Sequence, residues 1–484
     1  MIAELAAVAS MFAGGAFLLA GFGARGWGLA PWGFAVGVFL TVATGFVQAA
    51  TPLPGNPILT MAIVSGIPLS WWVSRRRRGL ASPIPVVGLA IVAIGAAAIV
   101  AVNRGLNTYA YHSDSMEYLG LGALLADDHY TEAVTGSELD KRLVGVSLLH
   151  APARLVGEYH LAGVTPLVAV SILGIVSWLV ANRARRVWGR GGTVAVAGLG
   201  VLALATMNRF VFHAFYLNGH LLTALGVLSL AGACWLMTSG PTPLGSAPGV
   251  VAGLATIGLV LSRPEGPFLA LAAIVPVVAF QAARREAVWL VATLGGAVVA
   301  WYGFVVILKA ARGLPQGYSP AMVLVGLAIG VFAVLVYRGR SPWLVSRAAV
   351  VYEVGLLAIL GVFALRDSAI LEQSVRAIRA NVFGSYAWWG SVVGVLALLV
   401  GLAVVCRRGR DLTALRLPVT SFIPLGLILA YARGTPYRPF DADSFNRMLI
   451  EVVPLAVAYI LMTAVGRVND APSRTVADER EVRA

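Results

Sequence analysis

Apolar runs of about 20 residues recur along almost the whole chain, and each is long enough to cross a bilayer as a helix. Inside hydrocarbon a spanning segment must satisfy its own backbone hydrogen bonds, which a helix does. Nineteen-residue windows place spans near 3–23, 31–49, 56–74, 83–102, 161–182, 192–208, 220–238, 247–262, 266–282, 286–309, 320–337, 347–365, 387–405, 416–432 and 448–466. The expectation is therefore an all-α, polytopic bundle of 13–15 spans. Composition agrees: 59% of the 484 residues are hydrophobic and 12% are charged. A soluble chain carries about 25% charged residues.

The first run, from Ile2 to Gly23, lacks a basic flank and carries Glu4, which predicts a membrane helix and not a cleaved leader. Cys234 and Cys406 both fall within spans, so no disulfide framework is expected. The net charge of +14 is dispersed over many short loops. That dispersion argues against a nucleic-acid partner and for arginines that set topology and grip anionic membrane lipids.

Alternate loops carry those arginines: Arg75 to Arg78, Arg183 with Arg185, Arg186 and Arg190, Arg284 with Arg285, Arg338 with Arg340 and Arg347, and Arg407 with Arg408 and Arg410. The positive-inside rule makes these loops cytoplasmic and the intervening ones external. The chain reads as one unit over 1–466 in the cell membrane, with a large outer loop at 103–160 and a polar cytoplasmic tail at 467–484.

Acidic residues show the opposite bias. Asp114, Glu117, Asp127, Asp128, Glu132, Glu138, Asp140 and Glu158 all lie between Asn103 and Tyr159. A loop of that length with so many carboxylates is more than a connector. Residues 114–126 predict a helix with Leu121, Leu124 and Leu125 on one stripe. Residues 138–157 predict an amphipathic helix on the outer interface, and Ser368 to Val382 another, with Ile370, Leu371, Val375 and Ile378 as its apolar face.

Asp114, Glu117 and Tyr118 follow the i, i+3, i+4 spacing of one helical face. A carboxylate held at the membrane boundary suits a general base, and Glu117 could tune it or help to hold a divalent cation such as Mg or Mn. The plainer reading is an N-capping aspartate with solvated neighbours. Arg263-Pro264-Glu265-Gly266 closes one short span and opens the next. Pro and Gly explain the bend, while Arg and Glu at that depth need either mutual pairing or a ligand. The last outer loop holds Arg433, Tyr437, Arg438, Asp441, Asp443, Asn446 and Arg447, with Glu451 one turn on, so Arg447 and Glu451 could simply pair.

Arginines on an external face run against the topological preference, and a phosphate-bearing lipid would account for them. Arg209, His213, Tyr216, Asn218 and His220 form a further polar segment, which is either interfacial or ligand-contacting. Tyr386, Trp388 and Trp389 mark an interfacial belt or a sugar-stacking surface. Asp441-Ala442-Asp443 is similar to the metal-binding acidic pairs of soluble sugar-nucleotide transferases.

Asp114-Ser115-Met116-Glu117-Tyr118 in the first large outer loop, Ser262-Arg263-Pro264-Glu265-Gly266, and Asn446-Arg447 to Pro454 before the last span together resemble the GT-C superfamily of polytopic glycosyltransferases. The resemblance implies transfer of a sugar from a polyprenyl-phosphate carrier to a lipid or glycan acceptor on the outer face, with inversion. It implies Asp114 as base assisted by Glu117, and Arg263, Arg447, Arg438 and Arg433 on the donor phosphate. His112, Tyr118, Glu265, His220 and Asn446 would contact substrate. Two features depart from the family pattern: four spans precede the acidic loop, and no soluble domain follows the last span.

Two other readings fit the composition. A transporter or flippase for an anionic lipid would place its charges in broken helices at half-depth and show related halves. A non-catalytic subunit of an envelope-assembly complex would need no concentrated acidic loop.

Overall fold

The computed structural model describes residues 2–51, 56–106, 113–126, 143–185, 187–240, 242–280, 283–338, 347–383, 389, 392–406, 410–438 and 444–466. Every regular element among them is helical. Four helices come first: α1 (Ile2–Gly21), α2 (Leu29–Ala50), α3 (Pro57–Arg77) and α4 (Val86–Leu106). The acidic region contributes α5 (Ser113–Ala126), α6 (Gly145–His150) and a 3-10 turn at Ala151–Val156. Next come α7 (Val164–Ala184), α8 (Gly189–Ala205), α9 (Asn208–Ala214), α10 (Gly219–Thr238), α11 (Pro248–Ser262), α12 (Gly266–Val278), α13 (Arg284–Ala311) and α14 (Ser319–Tyr337). The remainder is α15 (Ala348–Arg366), α16 (Ser368–Phe383), α17 (Val392–Val405), α18 (Thr413–Ala432), α19 (Ser444–Met448), a 3-10 turn at Leu449–Glu451, and α20 (Val453–Val465).

All the hydropathy windows fall on helices. Among the described residues ten helices are long and apolar enough to cross a membrane, or twelve if two bent pairs each count as one span. Three more, α11, α12 and α17, are apolar but shorter. The protein is a multi-pass membrane protein. Close helix approach relies on small residues, as membrane packing does. Gly15 and Gly37 bring α1 and α2 into backbone contact, since a Cβ on Gly15 would overlap the Gly33 carbonyl and one on Gly37 the Met11 carbonyl.

The described members of the arginine clusters lie near the ends of alternate helices. Arg75 Nε donates to the Gly21 carbonyl at 2.8 Å, and Arg284 Nη2 to the Val336 carbonyl at 2.7 Å. Arg183 meets Asp411 at 2.6 Å. Arg75 and Arg284 thus satisfy C-terminal carbonyls and complement the negative ends of helix dipoles, whereas Arg183 pairs with a carboxylate.

At the opposite end, buried Glu4 of α1 binds Arg104 of α4 at 3.0 Å and accepts the Gly163 amide at the start of α7 at 3.0 Å. This end carries the acidic segment. Two of its expectations change. Residues 145–150 form a fully buried plug packed against α2 and α5, not an interfacial helix. Gly145-Val146-Ser147-Leu148-Leu149 offers no polar face, and Pro152 converts the continuation to a 3-10 turn. On α16, Leu371 and Ile378 face inward as expected, but Val375 is 49% exposed. The inward stripe instead runs through Leu371, Ser374, Ala377, Ile378 and Asn381.

Two interruptions shape the site. Helices α11 and α12 have 15 and 13 residues, about 22 and 20 Å at 1.5 Å per residue, short of a hydrocarbon core of about 30 Å. Their shared turn is recessed within the bundle, with Arg263 8% and Glu265 1% exposed. The last span bends by 47° between its two parts. Pro454, in the first turn of α20, has no N–H to offer the Ile450 carbonyl and its ring crowds that group.

Candidate active site

Four chain segments meet at the recessed turn. Asp114 lies in the first turn of α5, and Ser115 Oγ pins that turn to the Leu217 carbonyl at 2.9 Å. Tyr216 and Asn218 lie in the short link before α10, where the Asn218 side chain caps the helix by accepting the His220 amide. Arg263 and Glu265 form the α11–α12 turn. Arg447 lies in α19 and Glu451 in the 3-10 turn just before the break in the last span.

The upper part of the site is half-open. Arg447 Nη1 reaches Asp114 Oδ2 at 2.9 Å, and both side chains are 18% exposed. The same Nη1 donates to the Tyr216 hydroxyl at 3.0 Å, which in turn donates to Asp114 Oδ2 at 3.4 Å. Burial pushes the Tyr216 phenol above its ordinary pKa, opposed by the Arg447 charge, so the phenol keeps its proton and can donate. Asn218 Nδ2 adds a contact to the Tyr216 hydroxyl at 3.4 Å.

The floor is buried. His220 Nδ1 lies 2.6 Å from Glu451 Oε1, Arg263 Nε lies 2.9 Å from Glu265 Oε1, and Arg263 Nε lies 3.8 Å from Glu451 Oε1. Tyr118 joins floor to mouth. It sits one turn from Asp114, is fully buried, and feels Arg263, Asp114 and Glu265; burial raises its pKa against the pull of Arg263.

Supporting contacts fix the cations. Arg209 Nε donates to Asn446 Oδ1 at 3.1 Å, and Trp389 Nε1 donates to the Asn446 carbonyl at 3.1 Å. Trp389 is thus a buried anchor for the loop before Arg447, not part of an interfacial belt or a stacking surface. His213 Nδ1 lies 2.7 Å from the Arg209 carbonyl. A carbonyl only accepts, so the proton is on Nδ1 and Nε2 carries a lone pair.

Of the residues singled out in the sequence, Asp114, Tyr118, His220, Arg263, Glu265, Asn446 and Arg447 come together. Arg433 is exposed but close enough to act on the Glu265 charge. Glu117 is exposed, so it does not share the buried face with Tyr118. Arg438 is exposed and contributes its backbone carbonyl to Asn381 Nδ2 at 3.1 Å. The expected Arg447–Glu451 pair does not form: the chain tightens to a 3-10 turn at Leu449–Glu451, and Glu451 meets His220 and Arg263 instead. His112, Tyr386, Trp388, Asp441, Asp443 and residues 127–142 lie outside the described residues. Sequence reasoning placed Tyr216 in a polar segment without a role. Its signal was a hydroxyl two residues before an N-capping asparagine.

Some buried polar atoms of the site have no hydrogen-bond partner among the described residues: Arg447 Nε, Asn446 Nδ2, His213 Nε2, Glu265 Oε2 and Glu451 Oε2. Next to the recessed turn, an apolar cleft of about 330 Å³ opens between α12, α14 and α15. Phe268, Leu271, Ile329, Phe332 and Tyr352 line it, and it begins at Pro267, two residues after Glu265.

Comparison with protein-family models, with curated proteins and with solved structures finds no match for this chain.

Proposed function

We propose that the protein is an integral-membrane glycosyltransferase of GT-C type. It would move a sugar from a polyprenyl-phosphate carrier to a lipid or glycan acceptor on the extracytoplasmic face, with inversion. The observation that carries this reading is the half-open Asp114–Arg447 contact at 2.9 Å, a proton acceptor and a guanidinium in one pocket. Beside it, Arg447 Nε and Asn446 Nδ2 are buried donors without an acceptor among the described residues, which suits a site for phosphate oxygens. The apolar cleft next to the turn suits an isoprenoid or acyl tail.

In this scheme the donor phosphate draws Arg447 from Asp114 and frees the carboxylate. The acceptor hydroxyl gives its proton to Asp114 as its oxygen bonds to the anomeric carbon. The bond from that carbon to the phosphate oxygen breaks with its electron pair, on the opposite face of the sugar. Arg447 and Arg263 then meet the charge gained by the phosphate, an effect worth about 3–4 kcal/mol per well-placed donor.

The test uses purified full-length protein with a panel of radiolabelled polyprenyl-phosphate sugars and membrane-lipid or glycan acceptors. Transfer that disappears in Asp114→Asn supports the proposal. No transfer from any donor, or undiminished transfer by Asp114→Asn, refutes it.

The transporter reading retains one specific support. The short α11–α12 hairpin and the 47° break put charged residues below the helix ends. Discontinuous helices of that kind bind ions and substrates in carriers. Flux of a fluorescent anionic lipid across reconstituted vesicles, without chemical change to it, would favour this reading.

A further inference from the structure

The floor of the site is built as more than a support for the mouth. His220, Glu265 and Glu451 come from three separate elements, the first turn of α10, the α11–α12 turn and the 3-10 turn before α20. Each offers one ligand atom, and the three atoms lie within 4.8 Å of one another. All three side chains are almost wholly buried, at 2%, 1% and 0% exposure. Carboxylates in such a place need cations close by.

Arg263 supplies one, on Glu265 Oε1. That leaves Glu265 Oε2 and Glu451 Oε2 buried with no donor among the described residues other than a proton shared between the two carboxyl groups. A carboxylate held by a hydrogen bond on one oxygen, with the other facing a second carboxyl group, can serve as a metal ligand steadied by its outer partner. His213, whose ring centroid is 6.1 Å from that of His220, adds a buried nitrogen lone pair without a donor among the described residues.

We propose that His220, Glu265 and Glu451 bind one divalent transition-metal ion of the Zn²⁺ type. One imidazole with two carboxylates suits Zn²⁺ or Mn²⁺ over Mg²⁺, which prefers oxygen and keeps its waters. Ligand atoms of a tetrahedral Zn²⁺ stand roughly 3.4 Å apart, so small side-chain adjustments within the present cluster would close the site. Three protein ligands leave a fourth position open, as in sites that also take a water or a substrate oxygen. The proposal is independent of glycosyl transfer, because its readout is metal content and stability.

The experiment uses full-length protein purified in detergent without chelator. Elemental analysis should find one Zn²⁺ or Mn²⁺ per chain. After chelation, titration with Zn²⁺ should raise the melting temperature by about 5 °C, saturating at one equivalent. Glu451→Gln keeps the side-chain volume and should weaken Zn²⁺ binding at least ~100-fold, the upper range for loss of even a supporting group. His220→Asn is a second ligand variant, and Asp114→Asn should bind the metal as the unaltered protein does. Metal-free protein that neither Zn²⁺ nor Mn²⁺ stabilises overturns the proposal, since the carboxylates would then be held by a shared proton. Binding that survives in both ligand variants overturns it too. Should both variants fail to fold, the unaltered protein's metal content and titration decide the matter alone.

Discussion

Arg447 reaches across the molecule to Asp114, 333 positions earlier in the chain, instead of pairing with Glu451 on its own span. The two residues come from opposite ends of the sequence, so a carboxylate and a guanidinium meet only when the bundle is assembled. The pair is accessible enough for substrate and enclosed enough to hold its geometry, unlike a solvated surface ion pair, which contributes 0–1 kcal/mol.

The pair predicts a division of labour. Asp114→Asn should lower the transfer rate by ~10²–10⁴, the usual range for a lost general base, with little change in donor KM. Arg447→Ala should lower kcat/KM by ~10²–10³ and raise the KM for the polyprenyl-phosphate donor more than that for the acceptor. Initial rates with each substrate varied in turn check both. Equal effects on donor and acceptor would assign Arg447 a structural role.

Tyr216 should act as a positioning residue. Its hydroxyl takes a hydrogen bond from Arg447 and gives one to Asp114, so it orders the pair in the absence of substrate. Tyr216→Phe removes that oxygen and leaves the ring packed on Phe212, whose centroid is 5.0 Å away. The expected result is about a tenfold fall in kcat with donor and acceptor KM unchanged, and a stability loss of about 0.5–1.5 kcal/mol. A fall in stability with full kcat would confine Tyr216 to packing.

The buried Arg263–Glu265 pair should respond asymmetrically to substitution. Arg263→Met leaves Glu265 uncompensated and should cost about 3–5 kcal/mol, whereas replacing both residues by Met should recover much of that loss. A denaturation series of the two single variants and the double variant measures the coupling. Simple additivity would show that the two charges do not depend on each other.

Much of this was legible in the sequence, for identifiable reasons. Hydropathy located the helices because a bilayer leaves the backbone few other choices. The alternate arginine clusters marked one end because guanidinium groups there bind the carbonyls where α1 and α14 finish. Asp114, Arg263, Glu265, His220 and Arg447 stood out because charge and histidine near apolar spans need a reason. The partners did not stand out. Glu451 sits at i+4 from Arg447, and the pairing expected from a continuous α-helix fails because the chain tightens to a 3-10 turn at Leu449–Glu451. Residues 145–150 were read with their charged neighbours, which hid how apolar that short run is. Trp389 resembled an interfacial tryptophan because sequence cannot show that its ring nitrogen meets the Asn446 carbonyl.

Acid should destabilise the fold through His150. Its side chain is buried at the end of α6, and Nδ1 accepts the Leu161 amide at 3.1 Å, so the folded protein holds the ring neutral. Burial lowers its pKa to about 3, with a smaller contribution from nearby His160; His160 in turn faces Glu4, Glu158 and Arg104. An unfolded histidine titrates near 6.5, so from about pH 6.5 down to about pH 3 the unfolded chain binds the extra proton. Stability contributed by the neutral ring is therefore complete above pH 6.5 and falls by up to ~1.4 kcal/mol for each pH unit below it. Melting temperatures of the purified protein across pH 7.5 to about 4.5 should decline, and His150→Gln, starting lower, should decline less steeply. Parallel slopes in the two proteins would exclude His150 as the titrating group.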